Sequence, residues 1–339
     1  MNRTRYQVAI LALVNSLWLV CAPLPGQDAV KATSISTVYV SRILEGMVVG
    51  VDVTTDQIVC ILHTGTNPAE VAVVDSLSRA FVADLTDGTV TVIDTISQSV
   101  TDTIDVGHPV AAAGADQTTE MVYVLDFSNG TPGTNIHEID ADTAIEVADV
   151  AVGSRLQNIA LDPDEGTAYL TDFVDGVLVL DTSSLTVTTT VPLADLPHGV
   201  AVHPGLDRLY VTQIDSDSVK VLNTANLAVV GTLSVGDAPQ WIGVDTIRNK
   251  AFVTNEGDGT VSVIDLGTNT VASDTISVGA EPLTVTVHEA SAKAYVYNAG
   301  DGTISIINTI TETVVATLDP VFGDGFESGD TTAWSAAVP

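Results

Sequence analysis

Two sets of residues in this chain have the types and spacing that chemistry requires. The first is a series of acidic, glycine-bearing loops: ADLTDGT (83–89), TQIDSDS (212–218), TNEGDGT (254–260) and YNAGDGT (297–303). Carboxylates beside backbone carbonyls could hold Ca²⁺, a hard ion that takes oxygen ligands. The same Asp-Gly pairs are what tight hairpin turns demand, because glycine accepts positive φ and an Asx side chain bonds the local backbone. No loop has the spacing of an EF-hand or of the Gly-rich β-roll repeats. The turn reading is therefore preferred; no cofactor is identified, and Ca²⁺ is the one these loops would accept. The second set interrupts otherwise bland segments: GTNPAE, GHPVAA, GSRLQN, LPHGVA, GDAPQW and GAEPLT. Glu70, His108, Arg155, Gln157, Asn158, His198, Gln240, Trp241 and Glu281 stand out there against small residues. An indole, a guanidinium, imidazoles and amides are what a polar ligand pocket is made of. The competing reading is drift among exposed loop residues.

Other signatures are missing. The chain has no G-x-S-x-G elbow, no H-E-x-x-H, no C-x-x-C and no Walker loop. HEID at His137 and HEAS at His288 begin like zinc-helix motifs but lack the second histidine and lie in β-rich surroundings. His63, His203 and His288 read as structural or solvated.

The elements that position these residues come from a repeat. Aromatic-centred runs recur at Tyr39, Phe81, Tyr123, Tyr169, Tyr210, Phe252 and Tyr295, in steps of 42, 42, 46, 41, 42 and 43 residues. An Asx closing the following run keeps the same register, at Asp52, Asp94, Asp140, Asp181, Asn223, Asp265 and Asn308. These Asx residues read as turn caps. One unit, Pro239 to Val278, contains four short β-type runs: WIGVD, KAFVTN, TVSVID and TVASDTISV. A four-stranded unit with two apolar faces cannot bury both alone; it must stack on copies of itself, and a ring removes the free ends. Seven copies predict an all-β fold, a seven-bladed β-propeller of four-stranded antiparallel blades.

Composition and charge agree with a folded, exported protein. Hydrophobic residues make up 45% of the chain, ample for a core. Eleven Lys and Arg face 43 Asp and Glu, a formal charge of −32. That field repels phosphate backbones and disfavours nucleic acid as a partner. Arg3 and Arg5 precede the apolar run Val8 to Val20, with Pro23, Pro25 and Gly26 after it, so residues 1–26 read as a secretory signal peptide. Cleavage would leave 9 − 43 = −34 and Cys60 alone, hence no intramolecular disulfide. No other apolar run reaches spanning length.

The pattern VG-x-x-P…VAV…LYVTN…TVSVID…VVATL resembles the YVTN family of β-propeller repeats. VGDAPQWIGVDTIRNKAFVTNEGDGTVSVIDLGTNTV and LPHGVAVHPGLDRLYVTQ carry it, and the likeness runs from about Ser36 to Leu318. The resemblance implies that the acidic loops and the bland segments share one face and ring a central channel. It specifies fold better than function, because such propellers are scaffolds for many roles. Residues 27–319 are assigned to the propeller and 320–339 to a tail, where GDGFESGDTTAWS resembles a terminal segment of assorted secreted bacterial proteins. That tail reads as a sorting signal or as disordered. Blade three carries extra residues within Leu125 to Asp140, and blade one lacks an inner strand, to be supplied by 28–36 or by the tail.

The expectation is an exported monomer, periplasmic, at the cell surface or extracellular, acting as a non-catalytic binding scaffold. Its partner would be a protein, a glycan or a cation, met by the loop face and channel. The alternatives are a propeller enzyme or redox accessory, as some seven-bladed relatives are, and a structural protein of the cell surface. An enzyme would need a convergent acid/base or metal cluster, which only His108, His198, Glu70, Glu281 and Arg155 could supply.

Overall fold

Every repeat unit folds for the same local reason. Val, Ile and Thr alternate along runs such as Thr260–Asp265, and β-branched side chains suit a pleated surface buried on its faces. An Asx then ends the run and caps the turn: Asp265 Oδ1 accepts from the backbone amide of Thr268 at 2.8 Å, and Asp94 does the same for Ser97 at 2.7 Å. These caps hold the Asp94 and Asp265 carboxyls below the usual range, led by the backbone bond in each case.

The computed structural model describes residues 37–127 and 134–320. Their strands form seven antiparallel sheets. Six have four strand positions in chain order, and blade one has three among the described residues. Both segments proposed to complete blade one lie outside the described residues, as do most of the signal and tail assignments. In blade three, Met121–Asp126 and Thr134–Asp140 pair directly across the longer connection. The outer strand of blade six, read as one run, is two pieces: Thr270–Val271 and Ile276–Ser277. The intervening Ser273 and Asp274 are exposed and poor strand formers, so pairing lapses there. No α-helix occurs among the described residues; three 3₁₀ turns follow inner strands.

The core is divided. Seven clusters of buried apolar residues sit one at each junction between consecutive blades, including Tyr295, Ile304 and Ile306 of blade seven against Val38, Val49 and Val51 of blade one. That last cluster closes the ring. No blade owns a core of its own, which is why the unit must be repeated.

Each position of the four-residue motif at the heart of the repeat has its own task. The aromatic is buried in the junction. The hydroxyl of the next-but-one residue ties blades together: Thr212 Oγ1 accepts from Gly199 N at 2.7 Å within blade five and donates to Gln240 O of blade six at 2.8 Å. Thr254 repeats this with Trp241 N and Leu283 O of blade seven, while Ser41 and Thr171 donate to Ala69 O and His198 O of their following blades. The closing Asx or Gln ties down loops; Asn255 accepts from Gly236 N and donates to Thr260 and Ser262. Thr212→Val keeps the shape but strands two buried backbone groups. It is expected to cost about 1–3 kcal/mol in urea unfolding with an unchanged m-value.

The scarce cations reinforce the same junctions. Five of the eight described Lys and Arg side chains, Arg42, Arg79, Arg248, Lys250 and Lys293, bond across a blade boundary. Lys293 reaches from blade seven to Val53 O and Asp56 of blade one.

Candidate functional site

Six inner strands line the axis, and each begins with the same irregularity. Opposite its partner strand every one carries one extra residue near its start: at Ala69 and Glu70, Ala111, Gln157, His198 and Gly199, Gln240 and Trp241, and Leu283. A β-bulge of this kind bends the strand and re-aims side chains. Glu70, Gln157, His198, Gln240 and Trp241 occupy bulges, and Asn158 follows one. Glycine is required at 199, because a Cβ there would lie 2.6 Å from Gln240 O.

The loop face is built as the resemblance implied. In six blades the residue after the second strand donates its amide to the residue just before the inner strand: Leu85 N to Asn67 O, Phe127 N to Pro109 O, Phe173 N to Arg155 O, Ile214 N to Leu196 O, Glu256 N to Ala238 O and Ala299 N to Glu281 O. The two loop sets therefore share one face. The acidic loops use their carboxylates to hold the other loop set: Asp87 takes Thr66 N at 2.6 Å, Asp258 takes Asp237 N at 2.7 Å and Asp301 takes Ala280 N at 2.9 Å, each bond tying an acidic loop to the segment before the inner strand of its own blade.

Glu70 is the centre of the arrangement. Its Oε2 accepts from Ala113 N of blade three at 3.1 Å and from Asn158 Nδ2 of blade four at 3.2 Å. The Trp241 indole, from blade six, lies close enough to pull the same carboxyl's pKa down. Only a group at the ring's centre can meet blades three, four and six at once. Burial pushes the Glu70 carboxyl up to about 8, against the pull of those three donors, so at neutral pH it is protonated. Asn158 is fixed by accepting from Val200 N.

Beside Trp241 lies His198, whose ring meets the indole edge-on at 5.2 Å and Phe173 at 5.8 Å. Nδ1 faces Gln240 O at 3.2 Å, so it carries the proton and Nε2 is the free acceptor. Burial depresses the imidazole to about 4, leaving it neutral. The Arg155 guanidinium covers Phe173 at 5.3 Å, extending the row from blade four to blade six. Gln240 donates to Glu256 at 2.5 Å; burial, with Glu281 and Asp237 nearby, raises the Glu256 carboxyl. Gln157 turns back to Arg155 O and Leu156 O.

The nine sequence candidates thus separate. Glu70, Asn158, His198, Gln240 and Trp241 form one connected group, with Arg155 joined through Phe173. Glu281 is an exposed neighbour of Glu256, and Gln157 packs on its own loop. His108 is elsewhere, stacked on His137 at 6.5 Å. Of the five residues from which an enzyme could draw a cluster, Glu70 and His198 flank Trp241 and Arg155 joins through Phe173, while His108 and Glu281 lie apart. Phe173, Glu256, Asp126 and His137 were not anticipated. Phe173 and Glu256 could have been, since both occupy the position just after the Asx or Gln that ends the second strand, where other blades have Leu85, Ile214 and Ala299. A separate cleft of about 810 Å³ lies between blades four and five, with Asp162, Asp164, Glu165 and Asp207 in its lining.

Fold and rim together define a seven-bladed β-propeller whose channel end is polar and aromatic. No protein family's sequence profile matches the chain, and no curated protein matches it by sequence. Among solved structures it is similar to a chain of Kuenenia stuttgartiensis hydrazine synthase, with 15% identity and a TM-score of 0.71 over 81% of this chain and 92% of that one. It is also similar to the dihydro-heme d1 dehydrogenase NirN in complex with DHE, with 17% identity and a TM-score of 0.63 over 88% of this chain and 66% of that one. At such identities the likeness concerns the fold alone. Among the described residues no helix is long and apolar enough to cross a membrane.

Proposed function

We propose that this chain is an exported, YVTN-type propeller that acts as a non-catalytic binding scaffold, taking an uncharged polar ligand such as a glycan end at the bulged rim. One observation carries the reading: Trp241, edge-on to His198, lies beside Gln240 and Glu70, and Asn158 bonds Glu70, so that an aromatic face is flanked by hydrogen-bonding groups whose burial favours their uncharged forms. An aromatic face flanked by neutral donors and acceptors suits a ring bearing hydroxyls, whose C–H face packs on the indole while its oxygens take hydrogen bonds. The acidic exterior keeps the protein soluble and repels anionic competitors. The export signal in 1–26 and the sorting role of 320–339 belong to the same proposal and rest on sequence pattern.

Trp241 is the only tryptophan among the described residues. In a Trp334→Phe background its fluorescence should change on titration with a panel of neutral oligosaccharides, and thermal stability should rise by mass action. Gln240→Ala should weaken binding at least 10-fold without lowering stability by more than about 1 kcal/mol. A panel that moves neither fluorescence nor melting would remove this reading.

An enzymatic reading is favoured by a different observation. A carboxyl shifted up and an imidazole shifted down flank the same indole, and perturbed groups gather at functional sites. It requires turnover that Glu70→Gln abolishes.

A further inference from the structure

Blade three departs from its siblings at one buried register. Three residues before the Asx that closes the third strand, blades two, six and seven carry Thr91, Ser262 and Ser305, whose hydroxyls bond the Asx ending the second strand. Blade three has His137 there, fully buried, against Asp126. His137 Nε2 lies 2.7 Å from Asp126 Oδ1, and Nδ1 lies 2.7 Å from Glu146 Oε1 on the outer strand. His108, from the loop before the inner strand, is stacked on the His137 ring and exposed on its other side. A hydroxyl suffices for the structural bond in those three blades, and Val49, Leu178 and Lys220 hold the register in the others, so the pairing of two imidazoles with a backing carboxylate has no counterpart in the other blades.

We propose that His108, Asp126 and His137 form a binding site for one divalent transition-metal ion of the Zn²⁺ type. One ligand atom from each already lies within 4.8 Å of the others. Tetrahedral coordination with bonds of about 2.0–2.1 Å puts ligand atoms about 3.4 Å apart, so the shifts required are side-chain rotations of roughly 1 Å. The ion takes the place of the proton on His137 Nε2, which goes to solvent. Glu146 keeps the Nδ1 proton and fixes the tautomer, the backing carboxylate usual for a metal-bound histidine. Two imidazoles and one carboxylate select Zn²⁺, Co²⁺, Ni²⁺ or Cu²⁺ over Ca²⁺, which wants six or more oxygens. The exposed side of His108 leaves the fourth position to water. This site is independent of the channel centre, and its failure would leave the ligand reading there untouched.

The test uses the untagged full-length chain, stripped with EDTA and dialysed. Co²⁺ is added as a spectroscopic probe and then displaced by Zn²⁺. The expected result is one ion per chain, visible Co²⁺ bands of tetrahedral intensity, and loss of those bands on adding Zn²⁺. His108→Ala, which removes an exposed side chain, should fold as well as the parent and bind Zn²⁺ at least 10-fold more weakly. Glu146→Gln should weaken binding by about 10–100-fold, as loss of a backing carboxylate does. Absence of stoichiometric binding by the parent at micromolar Zn²⁺ overturns the proposal. So does binding that both variants leave unchanged, since that places the ion on other surface groups.

Discussion

Phe252→Ala should melt the ring about 10 °C below the parent. The side chain is completely buried at the junction of blades six and seven, against Val261, Val263, Ile276, Val285 and Val296. Truncating a buried phenylalanine removes its transfer energy and leaves a cavity, typically about 3–5 kcal/mol. For a domain of this size each kcal/mol corresponds to roughly 2–4 °C. Phe252 itself lies on a strand whose register is held on both sides, by Pro239–Asp245 and by Thr260–Asp265, which limits how far the gap can close. The matched control is Val147→Ala on the outer strand of blade three, where the side chain is 52% exposed; it should shift melting by under about 1 °C. The transition should stay single, since a junction has no partner domain to unfold against. A second, separate transition in Phe252→Ala would contradict a ring closed by shared cores.

Glu70→Gln should change how stability depends on pH, with a sign that can be stated in advance. The carboxyl has its ordinary value of 4.5 in the unfolded chain and about 8 in the folded one. Between those values the folded state holds a proton that the unfolded chain has lost, so stability falls as pH rises through the window. The penalty is absent below 4.5 and complete above 8. A tenfold difference in proton affinity is worth about 1.4 kcal/mol, which makes the full effect on the order of a few kcal/mol after allowance for channel water. Glutamine keeps the acceptor for Ala113, Asn158 and Trp241 and never ionises. The variant should therefore match the parent near pH 4.5 and exceed it near pH 9, as read by urea midpoints. His198→Asn should act on the opposite limb. The folded imidazole, at about 4, refuses a proton that the unfolded chain accepts below 6.5, so its penalty grows as pH falls from 6.5 towards 4. Parallel pH curves for parent and variants would mean that neither group is buried as described.

The repeat was legible because two markers repeat in step and because each has a local job: the aromatic fills a junction and the Asx caps a turn. Blade number followed from that, and the shared loop face from the resemblance to known propeller repeats. The hydroxyl tie between blades was visible as the recurring Ser or Thr before the final motif residue, but its second bond reaches another blade, and spacing along one chain does not show that. The channel residues stood out as departures from bland segments; their grouping did not, because it depends on which blades face each other across the axis. Glu70 and Trp241 are 171 positions apart in sequence. His137 lacks a second histidine at helical spacing, yet in a sheet the second imidazole comes from another strand's loop. Comparing the third strands register by register would have shown it, since His137 stands where Thr91, Ser262 and Ser305 stand.

The bulges separate two tasks that most binding sites entangle. Register at the rim is kept by threonine hydroxyls and by the amide bonds between loops, and neither uses the side chain of the extra residue. Ala69, Ala111 and Gln157 occupy such positions and can be varied together with Gln240. A library randomised at those codons would sample specificity while drawing little on the stability reserve. Selection from it could turn one scaffold into a set of recognition reagents.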